Sequence, residues 1–177
     1  MTVIHPTDNT TEFLSTIYEG WEGAVCYRGE QSRKQMTSIL YHLPQRETIM
    51  MLGHGTDKGL FRLEDGEYCC YIGQAMAHSL RRHPVIGIWC HANLFAEAEG
   101  LHGFFTGMFI SEKHEAEEYG VNTTQEELDM ENARFATNLR KALSEEVPLD
   151  RLKDRLLELG APDSDLTRFN YGSMYCL

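Results

Sequence analysis

The sequence predicts a three-layer α/β fold, with a mostly parallel central sheet and helices on both faces. Three features point there. Residues 48–52, 85–89 and 104–110 are short, continuous apolar runs, the pattern of strands buried on both sides. Stretches with helical spacing alternate with them, as parallel crossovers require. Pro44, Gly53, Gly73 and Pro84 punctuate the junctions.

Residues 1–20 are polar with apolar anchors at Phe13, Leu14 and Ile17, which suggests a short helix. Residues 23–27 read as a short strand. Ser32 and Gln35 stand at capping-box spacing, and Met36, Ile39, Leu40 and Leu43 then form one apolar face, so residues 32–43 read as a helix. Asp65-Gly66 between two β-prone runs predicts a hairpin inside residues 56–72. Residues 73–83 read as a helix closed by Pro84. Residues 115–119 suggest a short helix. Thr124 with Glu127 caps a longer one carrying Leu128, Phe135, Leu139 and Leu143. Pro148 and Gly160 bracket a last helix. The aromatic tail, residues 169–177, is expected to dock on the domain.

At 177 residues the chain fits one domain spanning residues 1–177. Its net charge of −11 opposes binding to phosphate backbones and to anionic membrane surfaces, so neither nucleic acid nor membrane is an expected partner. No basic and apolar leader is seen, no apolar run is long enough to span a bilayer, and the five cysteines form no C-x-x-C pair. A cytoplasmic location with reduced thiols is the expectation. His78, His83, His91, His102 and His114 share no metal-ligand spacing, so no metal is expected, and Glu112, Glu115, Glu117 and Glu118 read as a solvated helix face.

Two motifs carry candidate chemistry. In Gly53-His54-Gly55 a histidine follows a buried strand, so its ring is held rigidly at the sheet edge. The flanking glycines permit a sharp turn, and the Gly55 N–H would face a developing oxyanion. A plain turn histidine is the competing reading. In the second motif, Cys90 follows the apolar run 85–89. A thiol there can meet an imidazole from a neighbouring strand and become a nucleophile. Its competing reading, a small buried hydrophobe, is the one adopted for Cys26, Cys69, Cys70 and Cys176. On this topology Cys90 is expected to be the most reactive thiol, and its strand to neighbour that of His54.

An apolar strand ending in His54-Gly55, followed by an apolar strand ending in Cys90, resembles the caspase-like superfamily of cysteine peptidases, which includes caspases, metacaspases, legumains, gingipains and clostripain. The resemblance covers about residues 23–112. It implies a flavodoxin-like sheet topology and a His54–Cys90 dyad that cleaves a peptide or amide bond through a thioester acyl-enzyme. It further implies an oxyanion hole at Gly55 and Cys90, a peptide or protein substrate and no cofactor. Asp57, close to the site, would favour a basic substrate side chain; a solvated loop aspartate is the plainer reading. The rival to the hydrolase is a non-catalytic module of the same fold that binds a partner or ligand at the same edge.

Overall fold

The computed structural model describes residues 1–160 and 162–177. The first half of the chain runs β1 (Thr2–Ile4), a 3-10 helix (Glu12–Ile17), β2 (Val25–Tyr27), α1 (Arg33–His42), β3 (Ile49–Leu52), β4 (Gly55–Thr56), β5 (Gly59–Glu64), β6 (Glu67–Gly73) and α2 (Gln74–Leu80). The second half runs β7 (Pro84–Ile88), α3 (Ala92–Glu99), β8 (His102–Thr106), α4 (Lys113–Glu118) and α5 (Gln125–Ser144). A 3-10 turn (Leu149–Arg151) then leads into α6 (Leu152–Glu158), α7 (Asp165–Gly172) and β9 (Met174–Cys176).

The main sheet has the order β2-β1-β3-β7-β8-β9. All of its neighbours pair in parallel except β9, which runs antiparallel to β8. The chain places β2 on one side of β1 and every later strand on the other. The winding direction therefore reverses between β1 and β3, and open sheets of this kind bind ligands outside the strand ends at that point.

Period-two alternation explains why the central strands are apolar throughout. Met50, Leu52, Ile86, Ile88 and Phe104 face one layer, where they meet Phe135 and Leu139 of α5 and Leu156 of α6. Ile49, Met51, Val85 and Phe105 face the other, against Met36 and Leu40 of α1, Met76 and Leu80 of α2, and Phe95 of α3. A separate three-stranded antiparallel sheet, β4-β5-β6, projects between β3 and α2. Its second turn carries Asp65 and Gly66 at φ 51° and 88°, the left-handed pair that a two-residue hairpin demands.

The fold class, the adjacency of β3 and β7, and the caps of α1 and α5 agree with the sequence reading. Other elements differ. β1 was not anticipated, and the short early helix is a 3-10 helix. The strand expected over residues 104–110 starts at His102 and stops at Thr106: the Gly107 N–H still reaches the Ser173 carbonyl, but the Ser173 N–H turns back to the carbonyls of Phe169 and Asn170, and the Gly107 carbonyl accepts from the His91 N–H. The stretch after Cys90 is helical. The tail supplies α7 and an edge strand.

Candidate active site

His54 is the second residue after β3. Gly53, before it, has φ 135°, a conformation an L side chain resists, and its N–H bonds the Ile88 carbonyl at 3.1 Å, tying the ends of β3 and β7 together. Gly55, after it, is required by space: a Cβ there would lie 2.2 Å from Trp89 Cδ1 and 2.4 Å from the Gly59 carbonyl oxygen. The Trp89 indole packs beneath this glycine and donates from Nε1 to the Thr56 carbonyl at 3.1 Å. Trp89, the residue before Cys90, thus fastens the His54 loop to the Cys90 strand.

The ring of His54 is held by the loop after β1. Its Nε2 lies 2.7 Å from Thr10 Oγ1 and 3.2 Å from Asp8 Oδ2. Asp8 is the hub of that loop. Its Oδ1 accepts from the N–H and hydroxyl of both Thr10 and Thr11, and its Oδ2 accepts from the Tyr68 hydroxyl at 2.9 Å. Burial pushes the Asp8 carboxyl up, but the hydrogen bonds from Tyr68 and Thr10 and the charge on His54 outweigh it and bring it down to about 2. The same arrangement pushes Tyr68 up to about 12, through burial first and then its bond to Asp8. The Tyr68 ring leans on the imidazole with centroids 4.9 Å apart.

Proton inventory assigns the tautomer. The single Thr10 hydroxyl proton goes to Asp8 Oδ1, so at Nε2 the hydroxyl accepts. A carboxylate beside Nε2 also requires an N–H there. In the neutral ring Nδ1 is then the lone-pair nitrogen, and among the described residues it has no hydrogen-bond partner.

Cys90 sits at the turn between β7 and α3. His91 adopts φ 67°, ψ 27°, a left-handed conformation uncommon for a non-glycine residue. This turn sends the His91 N–H to the Gly107 carbonyl at 3.0 Å and leaves the Cys90 N–H without a partner among the described residues. The Gly55–Leu60 pair follows the bond from Phe61 N–H to the His54 carbonyl, so by ladder alternation the Gly55 N–H faces away from β5.

His54 and Cys90 share a cavity of about 20 Å³, room for about one water, lined also by Gly53, Trp89, Phe13, Ser111 and Glu115 but not by Gly55. No hydrogen bond joins His54 to Cys90. The thiol contacts the Phe109 carbonyl at 3.7 Å and Glu115 Oε1 at 3.8 Å. Burial, then the Glu115 carboxylate, pushes the Cys90 thiol up to about 12. Both causes disfavour the thiolate, so the closed geometry does not favour the reactivity expected from the sequence. Cys26 and Cys69, read as buried, are exposed.

Asp57 lies outside the cavity, exposed on the β4–β5 turn and paired with its neighbour Lys58 at 2.6 Å. Sequence reasoning missed Asp8, Thr10, Tyr68 and Glu115. Asp8-x-Thr10-Thr11 is an Asx-turn signature, which locates a turn but not its target. Glu115, read as solvated, turns inward because it closes a capping box with Glu112. Among the described residues no three His, Cys, Asp or Glu side chains gather as metal ligands, and no helix is long and apolar enough to cross a membrane. No family model matches the chain, and no curated protein matches it.

Proposed function

We propose that the protein is a caspase-like cysteine hydrolase in which His54 and Cys90 cleave a peptide or amide bond. The observation that carries this reading is that β3 and β7 are adjacent parallel strands whose ends deliver an imidazole and a thiol to one cavity, with the imidazole's Nε2 held by Asp8 and Thr10. Nδ1 of His54 takes the thiol proton as Cys90 Sγ attacks the carbonyl carbon. The N–H groups of Gly55 and Cys90 receive the oxyanion, each worth about 3 kcal/mol of barrier. The C–N bond then breaks, His54 returns the proton to the leaving amine, and a thioester remains. Water, deprotonated by His54, attacks the thioester, releasing the acid and restoring the thiol. The peptide or protein substrate and the reducing, cytoplasmic setting belong to the same proposal.

Profiling purified protein with a fluorogenic peptide library tests this. Cys90→Ala and His54→Ala should each abolish turnover, and the double variant should be no worse than either single one, since the two act as one unit. Full activity in Cys90→Ala refutes the mechanism. A second reading, a binding module of the same fold, is favoured by one observation: the thiol faces Glu115 and is not hydrogen-bonded to the imidazole. Absence of turnover in the library both in the unaltered protein and in Glu115→Gln, together with a ligand that shifts the His54 ring resonances, would support that reading.

A further inference from the structure

We propose that the turn and helix from Ser111 to Glu118 form an autoinhibitory latch, in which the Glu115 carboxylate is seated on the Cys90 thiol and closes the site until α4 moves. This builds on the hydrolase reading, and concerns how the same site is regulated.

Three observations lead there. First, both acceptors facing the thiol, the Phe109 carbonyl and Glu115 Oε1, come from the connection that follows β8. The carboxylate is not a side chain that strayed inward. Its Oε2 accepts from the N–H of Ser111 at 2.8 Å and of Glu112 at 3.0 Å, and from the Ser111 hydroxyl at 3.3 Å. Three donors of the latch's own turn therefore aim Oε1 at Cys90. A negative charge in that place opposes thiolate formation, and it occupies space a scissile carbonyl needs.

Second, the closure is steric as well as electrostatic. The dyad cavity, at about 20 Å³, is separated from a cleft of about 630 Å³ by a wall to which Phe13 and Ser111 contribute on both sides. The cleft is lined in part by Lys113, His114 and Asn132. Displacing the turn at Ser111 would merge the two and give a peptide a route to the dyad.

Third, the latch is lightly attached. Ala116 is the one buried residue of α4, and it packs with Ile110, Leu128 and Leu166 in a small cluster apart from both main cores. The remaining ties are the edge contact of Tyr119 with Phe169 of α7, ring centroids 5.5 Å apart, and a few hydrogen bonds, chiefly Lys113 Nζ to the Thr123 carbonyl and Asn132 Nδ2 to the Ser111 carbonyl. Upstream, Ile110 is clamped in both directions by Asn170, through its N–H and its carbonyl, so movement begins after Ile110. Downstream, Gly120 at φ 66° ends the helix and provides the second pivot.

The test reads thiol accessibility and needs no substrate. Iodoacetamide labelling of Cys90 is followed by mass spectrometry at pH 7.5 in the full chain and in two variants, with thermal unfolding run alongside. Glu115→Gln keeps the capping geometry, since Gln also serves that position, but removes the charge. Ala116→Asp loosens α4 without touching the thiol. The labelling rate should rise at least tenfold in both. An unchanged rate in Glu115→Gln overturns the proposal. Acceleration in Glu115→Gln without acceleration in folded Ala116→Asp also overturns it, because charge alone would then explain the effect. Should Ala116→Asp fail to fold, Lys113→Met, which breaks the tie to Thr123, takes its place with the same expectation. Faster labelling without hydrolysis of any library peptide would refute the hydrolase reading and leave the latch standing. Hydrolysis with unchanged labelling would do the reverse.

Discussion

Replacing Asp8 by Asn removes one charge from the loop after β1 and leaves its shape. The carboxyl of Asp8 falls from an ordinary value of 3.8 to about 2 in the folded protein. At roughly 1.4 kcal/mol per tenfold change in proton affinity, that gap corresponds to about 2.4 kcal/mol of stability. The side chain keeps 16% of its surface exposed, so solvent screening reduces the expected figure to about 1–2 kcal/mol. Because the folded value lies below the unfolded one, the contribution is complete above about pH 5 and is lost as pH falls through the folded value. At pH 3 about half of it remains. Urea unfolding of both proteins at pH 7, 5 and 3 measures this. The difference between them should be about 1–2 kcal/mol at pH 7 and 5, and near half that at pH 3. A difference that does not change with pH, or no difference at all, would refute the account of Asp8 as a charged hub. In an active preparation the same variant should lower kcat roughly tenfold or more with little change in KM, since Nε2–H loses the partner that fixes Nδ1 as the base.

Gly55→Ala forces a Cβ against the Trp89 ring and the Gly59 carbonyl, so it should destabilise by about 2–3 kcal/mol and lower Tm by roughly 5–10 °C; an unchanged Tm would contradict the packing described. Trp89→Phe removes the donor to the Thr56 carbonyl and part of a buried ring, which should cost about 1–3 kcal/mol and speed amide exchange in β4 and β5. Equal exchange in both proteins would show that Trp89 does not fasten the hairpin. At pH 8, Cys90 in the unaltered protein should label more slowly than the exposed Cys69, because burial and Glu115 hold its proton; preferential labelling of Cys90 would mean that the site is open in solution.

What the sequence revealed followed signals confined to short windows. Residues 49–52 and 85–88 announce buried strands because both of their faces meet helices, so every position is apolar. The capping boxes of α1 and α5 are fixed three-residue spacings with a hydrogen-bond reason behind them, and both are formed. β1 gave no such signal: three residues, of which Thr2 is polar, cannot show a period, and their burial comes from lying between β2 and β3. α3 begins at the left-handed His91 with no side-chain cap, so nothing local marks its start. In the site, His54 and Cys90 were legible because each terminates a strand of recognisable pattern. Their partners were not. Asp8 reaches His54 across 46 positions of sequence and Glu115 reaches Cys90 across 25, distances that only the sheet order closes.

That sheet order explains why one histidine serves a network from two directions. His54 follows β3, and β3 lies between β1 and β7. The loop after β1 therefore reaches one edge of the imidazole with Asp8 and Thr10, while the end of β7 brings Cys90 to the cavity that His54 also lines. Reversal of the winding between β1 and β3 leaves this edge uncovered by crossover connections, so polar groups gather there at little expense to the core. The hydrolase and the binding module then differ in one physical quantity, the acceptor of the Cys90 proton. With Glu115 in place the thiol faces a carboxylate that cannot orient it for attack on a carbonyl. With Glu115 withdrawn, the proposed acceptor is Nδ1 of His54, the lone-pair nitrogen of the neutral ring when Nε2 carries the N–H that faces Asp8 and Thr10. The Asp8 network and the α4 latch thus act on opposite partners of the same proton transfer, and separate substitutions at Asp8 and Glu115 should move Cys90 labelling in opposite directions.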